Sequence, residues 1–141
     1  MKQKLKHENL VVGEVLGRTR LHITQDLVQE CAGAIGGPLR PWYDTNPPFD
    51  CAIAPPTVFE NWAIHLLEKK FARSITLHAA QRWEFKAPIR VDTIVNITAT
   101  LEDRTILRGK PYIVIGVRVN DPEGIELCRG FHTSMVDLQC R

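Results

Sequence analysis

The run Ala54-Pro55-Pro56-Thr57-Val58-Phe59-Glu60-Asn61-Trp62-Ala63-Ile64-His65-Leu66-Leu67-Glu68-Lys69-Lys70-Phe71 constrains this chain more than any other stretch. Two consecutive prolines hold an extended entry, because a residue that precedes proline is pushed out of the α region. Thr57 then offers an N-cap hydroxyl, and Glu60 completes a capping-box pattern. Val58, Phe59, Trp62, Ala63, Leu66 and Phe71 recur at helical spacing as one broad apolar face. Lys69 and Lys70 fall near the end, where cations suit the carbonyl pole of a helix. The pattern predicts a helix over 57–70, the longest and most apolar of the chain. So wide an apolar face needs a large apolar surface to lie on.

The segments after it supply that surface. Ile75–Phe85, closed by Pro88, predicts a strand. Thr93–Leu101, with Ile94, Ile97 and Ala99 among polar residues, predicts a second. Pro111–Asn120 predicts a third and Ile125–Val136 a fourth, separated by the turn signal Asp121-Pro122-Glu123-Gly124. Ahead of the helix, residues 1–13 predict a surface arm and an entry strand that breaks at Gly13. Arg18–Ile23 alternates polar and apolar as a short half-buried strand. Thr24 caps a further helix, with Asp26 in its first turn and Leu27, Val28, Cys31, Ala34 and Ile35 at helical spacing. Gly36-Gly37-Pro38 stops it. Residues 36–56 form a long loop rich in glycine, proline and aromatics. A loop of that length in a compact domain usually carries function. Its Trp42, Tyr43 and Phe49 need apolar cover, which predicts a loop packed over a pocket and feeding the central helix. Strand, helix, loop, helix and then four strands in a row predict one α+β domain over 1–141, with an antiparallel β-sheet wrapped around a long central α-helix.

Composition narrows the function classes. A chain of 141 residues can bury a real core. A formal charge of +2 without long runs of one sign gives no electrostatic footprint for nucleic acid. No apolar run approaches the ~18–20 residues of a membrane span. The basic start Met1–His7 is followed by no apolar signal core, so a cytoplasmic location is expected. Cys31, Cys51, Cys128 and Cys140 show no CxxC spacing and read as reduced thiols, not bridges or zinc ligands. No metal is expected.

Several segments, taken in order, resemble a known family. Pro41-Trp42-Tyr43 is followed by Ile53-Ala54-Pro55-Pro56-Thr57, then by Leu77-His78-Ala79-Ala80-Gln81. Phe85-Lys86-Ala87-Pro88-Ile89-Arg90-Val91-Asp92-Thr93 comes next, then Arg108-Gly109-Lys110-Pro111-Tyr112 and Asp121-Pro122-Glu123-Gly124. Across most of residues 14–136 the chain resembles the MaoC-like hot-dog proteins, the group of (R)-specific enoyl-CoA hydratases and hydroxyacyl-thioester dehydratases. The resemblance implies a hot-dog fold and a homodimer, or a heterodimer with another hot-dog chain. It implies syn addition or removal of water across the Cα–Cβ bond of an acyl thioester of CoA or a carrier protein, with no further cofactor. That chemistry needs an acid–base group beside a water and amides that polarise the thioester carbonyl. The family's Gly-Asp-x-Asn-Pro-x-His run is not retained. One alignment puts Gly37 at the Asp and Tyr43 at the His; another keeps Asp44 and Asn46-Pro47 but puts Phe49 at the His.

Tyr43 and Asp44 are therefore the expected catalytic positions. Tyr43 reads as a hydrogen-bond donor to the thioester or as a packed loop aromatic, and its usual pKa of ~10 makes it a poor base. Asp44 reads as a general base or as an Asx-turn residue before Asn46-Pro47. Amides near Ile53 and Ala54 and after Thr57 are expected to hold the carbonyl oxygen, with Trp42, Phe59 and Trp62 along the acyl tunnel. Glu60 reads as a capping residue or as the carboxylate of an acyl-thioester hydrolase. His65 reads as a hydrogen-bonded core residue or a pocket group, and His22, His78 and His132 as structural strand residues. Cys51 has no local histidine partner. Arg18, Arg20, Lys69, Lys70, Arg73, Arg82, Lys86, Arg104, Arg108 and Lys110 include the candidates for a phosphate of CoA or a carrier protein. A non-catalytic subunit that pairs with an active MaoC-like chain is the alternative to an enzyme.

Overall fold

The alternating segments pair into a five-stranded antiparallel sheet in a computed structural model that describes residues 1–35, 50–72 and 75–138. The strands in chain order are β1 (Gln3–Lys4), β2 (Val15–Ile23), β3 (Phe71–Ala72), β4 (Leu77–Phe85), β5 (Thr93–Leu107), β6 (Lys110–Asn120) and β7 (Glu126–Met135). The main sheet runs β2-β5-β6-β7-β4, so β4 leaves its sequence neighbour β5 and takes the far edge beside β7. Two short strands, β1 and β3, pair in parallel and tie the N-terminal arm to the end of the second helix.

Register places the apolar residues on one face. Ile97 pairs with Val119, Ala99 with Val117 and Leu101 with Ile115, and all six are buried. A bulge lies between Leu101 and Asp103, and every residue from 102 to 110 is exposed. The expected strand 93–101 thus continues to Leu107 as an arm beyond the core. Arg108 and Gly109, at φ 51° and 74°, close it as a two-residue hairpin loop in left-handed conformation. In the β6–β7 turn Asp121 Oδ1 accepts from the Ile125 amide at 2.8 Å, and Gly124 takes φ 88°.

Helix α1 (Gln25–Ala34) starts where the sequence predicts, with Thr24 Oγ1 accepting from the Leu27 amide at 3.1 Å. The central helix departs from expectation. Pro56–Phe59 form a 3-10 turn, and α2 spans only Trp62–Lys70, nine residues against ten in α1. The predicted Thr57–Glu60 capping box does not form, for Thr57 makes no side-chain cap and lies inside the turn. Proline is preorganised for the first position of a helix, so the turn begins at Pro56. The extended cap position, φ −64° and ψ 148°, falls to Pro55, which has no side-chain acceptor.

Helix α2 lies on the sheet at β2, β5 and β6 through buried Ala63, Leu66 and Leu67. Gly17 of β2 permits the approach, since a Cβ there would stand 3.2 Å from Leu66 Cδ2. Each large side chain buried here contributes about 1.5–3 kcal/mol. Lys70 ends the helix paired with Glu14 and donating to the Val15 carbonyl at 3.2 Å. Among the described residues no helix is long and apolar enough to cross a membrane.

Candidate functional site

The segment leading into α2 is stitched to the loop after β4. Ile53 bridges Arg90; the Ala54 amide donates to Ile89 O at 2.7 Å and the Val91 amide to Ala52 O at 2.9 Å. The amides of Lys86 and Ala87 both donate to Leu127 O, which anchors that loop to β7. Between the two segments runs an open groove of about 380 Å³, lined by Ile53, Ala54 and Pro56 on one side and Phe85–Ile89 on the other.

The expected site residues divide three ways. Trp42, Tyr43 and Asp44 lie outside the described residues. Ile53 and Ala54 line the groove, with Thr57 exposed beside it. Ala54's amide is spent on Ile89, whereas among the described residues the amide of Thr57 has no acceptor. Phe59 and Trp62 do not line the groove. Phe59 is fully buried, with its ring 6.3 Å from that of Trp83, and Trp62 meets His65 edge-on at 5.0 Å. Glu60, released from the capping role, is exposed, and its carbonyl accepts from Gln81 Nε2 at 3.2 Å.

Charge at the groove is held by one carboxylate. Lys86 Nζ lies 2.6 Å from Glu126 Oε1, and Arg129 binds both oxygens of Glu126, at 2.7 and 3.1 Å. Hydrogen bonds from Arg129 and then Lys86 hold the Glu126 carboxyl below its usual range. Lys70 and Lys86 are thus engaged in ion pairs, and Arg104 donates to the carbonyls of His7 and Glu8. These three candidates for a phosphate contact have protein partners. Cys31, Cys51 and Cys128 are free thiols, and burial pushes Cys128 up to about 12, which keeps it unreactive.

A second constellation was not legible in the sequence. His65 is exposed, not a core residue, and it shares a cleft of about 320 Å³ with His78, His132 and Ser134. His132 and Ser134 alternate on the helix-facing side of β7, and β4 brings His78 opposite Ser134. The His78 and His132 rings stack at 4.3 Å. His132 is 6% exposed, and burial, then the nearby His78, pushes its pKa down to about 4, so it is neutral at ordinary pH. Strand register and the packing of α2 on the sheet unite these residues; the three histidines are 13 to 67 positions apart in the chain.

No family model and no curated protein sequence matches the chain. Solved structures do. The (R)-hydratase PhaJ1 of Pseudomonas aeruginosa, unliganded, superposes over 98% of this chain and 89% of its own, with TM-score 0.78 at 15% identity. The truncated HadBC (3R)-hydroxyacyl-ACP dehydratase complex of Mycobacterium tuberculosis matches 90% of this chain and 98% of its own, also at 0.78 and 15%. The (R)-hydratase of A. caviae involved in PHA biosynthesis matches 92% and 98%, at 0.74 and 17%. The chain has the hot-dog fold. Its structural neighbours are MaoC-like, as the ordered motifs imply. In this hot-dog chain the groove at 53–56 opens where the extended entry passes into the 3-10 turn ahead of α2.

Proposed function

We propose that this protein is a MaoC-like hydratase or dehydratase that acts on an enoyl or 3-hydroxyacyl thioester through a non-standard site. The observation that carries the proposal is superposition on (R)-hydratases over nearly the whole chain, together with an open apolar groove at the start of the 3-10 turn that precedes α2. In the hydration direction Asp44 takes a proton from water as the oxygen bonds to Cβ. The negative charge that develops at Cα is delocalised onto the thioester oxygen, which the Thr57 amide and the Tyr43 hydroxyl stabilise, and Cα then takes the proton held by Asp44, which restores the carboxylate. The acyl part runs along the apolar lining of Ile53, Ala54 and Pro88, with Trp42 as the residue proposed to bound its depth. The natural probe is crotonyl-CoA and longer enoyl-CoAs, followed by loss of the conjugated thioester absorbance. Turnover by pure protein is expected, with Asp44→Asn lowering kcat by about 10²–10⁴-fold. No turnover above buffer, alone or with a second hot-dog chain, rejects the reading.

The edge strand β4, open among the described residues, favours a second reading. Leu77 is 55% and Phe85 48% exposed there. A subunit that pairs with an active hot-dog chain through this edge needs no catalytic pair of its own. Such a chain changes its partner's chain-length preference while showing no turnover alone. HadBC and the ChsH1–ChsH2 complex, both of Mycobacterium tuberculosis, are complexes among the structural neighbours.

A further inference from the structure

We propose that the outer face of the sheet, where β2, β5 and β6 lie side by side, is a docking surface for an acidic helix of a partner protein. This face is turned away from α2 and from the groove at Ile53 and Ala54, and the proposal does not rest on the acyl-thioester reading.

Register builds the surface. Arg18 of β2 pairs with Thr98 of β5, Thr98 with Arg118 of β6, and Arg118 with Arg129 of β7. Residues directly opposite one another across strands share a face, so these four stand in one row. Two residues along, Arg20 pairs with Asn96 and Asn96 with Asn120. The intervening Ile97 and Val119 are buried on the other face, beneath the helix side of the sheet. Arg18, Arg20 and Arg118 are exposed. Arg18 and Arg118 are far apart in the chain, so no run of basic residues announces the patch.

Charge on this face is compensated at one end only. Arg118 and Arg129 stand directly opposite each other, an arrangement of like charges that destabilises a sheet. Arg129 is neutralised by Glu126, at 2.7 and 3.1 Å, and has Glu84 at 3.9 Å. The side chains of Arg18, Arg20 and Arg118 make no ion pair among the described residues. Over β2, β5 and β6 the two rows therefore bring three uncompensated guanidiniums together with Thr98, Asn96 and Asn120, and no carboxylate.

Spacing and chemistry select the occupant. Guanidinium forks bind carboxylates through paired hydrogen bonds. Arg18 and Arg20 are about 6.8 Å apart along the strand, and Arg118 stands about 10 Å from Arg18, two strands away. Acidic residues at i and i+4 of a helix are about 5–6 Å apart, which matches the first interval. A helix about 10–12 Å across, laid along β2 and β5, brings a third acid to Arg118. Single-stranded nucleic acid would need aromatic platforms for its bases, and none of the six residues of the patch is aromatic.

The test is fluorescence anisotropy of the full-length protein with a labelled alanine-based helical peptide that carries glutamates at i, i+4 and i+7. The same peptide with glutamines and an oligothymidine serve as comparisons. The expected result is saturable binding of the glutamate peptide that weakens as salt is raised, and about tenfold weaker binding of both comparisons. Arg18→Glu with Arg118→Glu is expected to weaken binding about tenfold or more. Lys4→Glu with Lys6→Glu makes the same change of net charge on the exposed N-terminal arm and is expected to change binding less than about twofold. Should the arginine reversal not fold, Arg18→Gln with Arg20→Gln on the edge strand is expected to weaken binding several-fold. No binding of the glutamate peptide, equal binding of the glutamine peptide, tighter binding of the oligothymidine, or equal losses in the arginine and lysine variants overturns the proposal.

Discussion

Gly130 and Gly116 sit on neighbouring strands, and the sequence gives no reason to treat them differently. The structure does. A Cβ on Gly130 would stand 2.7 Å from the indole ring of Trp83, a rigid group packed against the core. A Cβ on Gly116 would meet the side chain of the exposed Glu102, which can swing away. Gly130→Ala should cost about 1–3 kcal/mol by overpacking, and Gly116→Ala less than about 1 kcal/mol. Urea unfolding of the two variants checks the difference. His132 makes a pH prediction. Its pKa lies near 6.5 in the unfolded chain and near 4 in the folded one. Below pH 6.5 the unfolded state therefore binds a proton that the native state refuses. Stability is unaffected by this group above that pH, falls by about 1.4 kcal/mol per pH unit towards pH 4, and levels off below. Glu126, whose pKa is lowered by Arg129 and Lys86, only begins to lose its contribution at the acid end of the same scan. Unfolding midpoints of wild type and His132→Gln between pH 7 and pH 4 separate the two, because the variant keeps only the later loss. Neither feature was visible before register was known. Glycine–tryptophan and histidine–histidine contacts depend on which residues face each other across β4 and β7, and alternation alone leaves that open.

At the scale of the element, two threonines were read from the sequence as helix caps, and one is. Thr24 precedes a residue with no conformational constraint, takes φ −83° and ψ 158°, and binds the Leu27 amide. Thr57 follows two prolines, and Pro56 has already opened the turn. Thr24→Ala should cost about 1 kcal/mol, as loss of an N-cap does, and Thr57→Ala close to nothing. Thermal unfolding of the two variants tells them apart, and equal losses would mean Thr57 caps after all. The strands were legible to within a few residues at most ends, because period-two alternation survives wherever one face is buried. The exception is informative. Strand β5 continues past Leu101 where alternation stops, since residues 102–107 have no buried face to record. Pairing along β6 sustains the strand there, and pairing leaves no trace in hydropathy.

At the scale of the whole molecule, the edge strand β4 is the feature with a consequence. Among the described residues its backbone is paired only to β7, and Leu77 and Phe85 lie exposed beside exposed Ile75. Bare edge strands with apolar side chains pair with other strands unless something covers them. The protein is expected to form a dimer through β4, with itself or with another hot-dog chain. Leu77→Glu together with Phe85→Glu should shift it to monomer, which sedimentation or light scattering reads directly. A monomeric wild type would sink this expectation while leaving the fold untouched.

What the sequence determined was the inventory of elements and their buried faces: a helix after Pro55-Pro56, a capped helix after Thr24, and four strands in succession. These follow from local rules of φ, hydrogen-bonding side chains and apolar period, which act within a few residues. The ordered motifs carried the sequence one step further, to the hot-dog arrangement, and the superpositions bear that out. Only the tertiary structure decided that β4 crosses to the far edge, that Phe59 serves the core and not the groove, and that His65, His78 and His132 share one cleft. The reason is physical. Strand order and register minimise the exposed apolar surface of the whole chain at once, so residues many positions apart meet through a balance that no local segment contains.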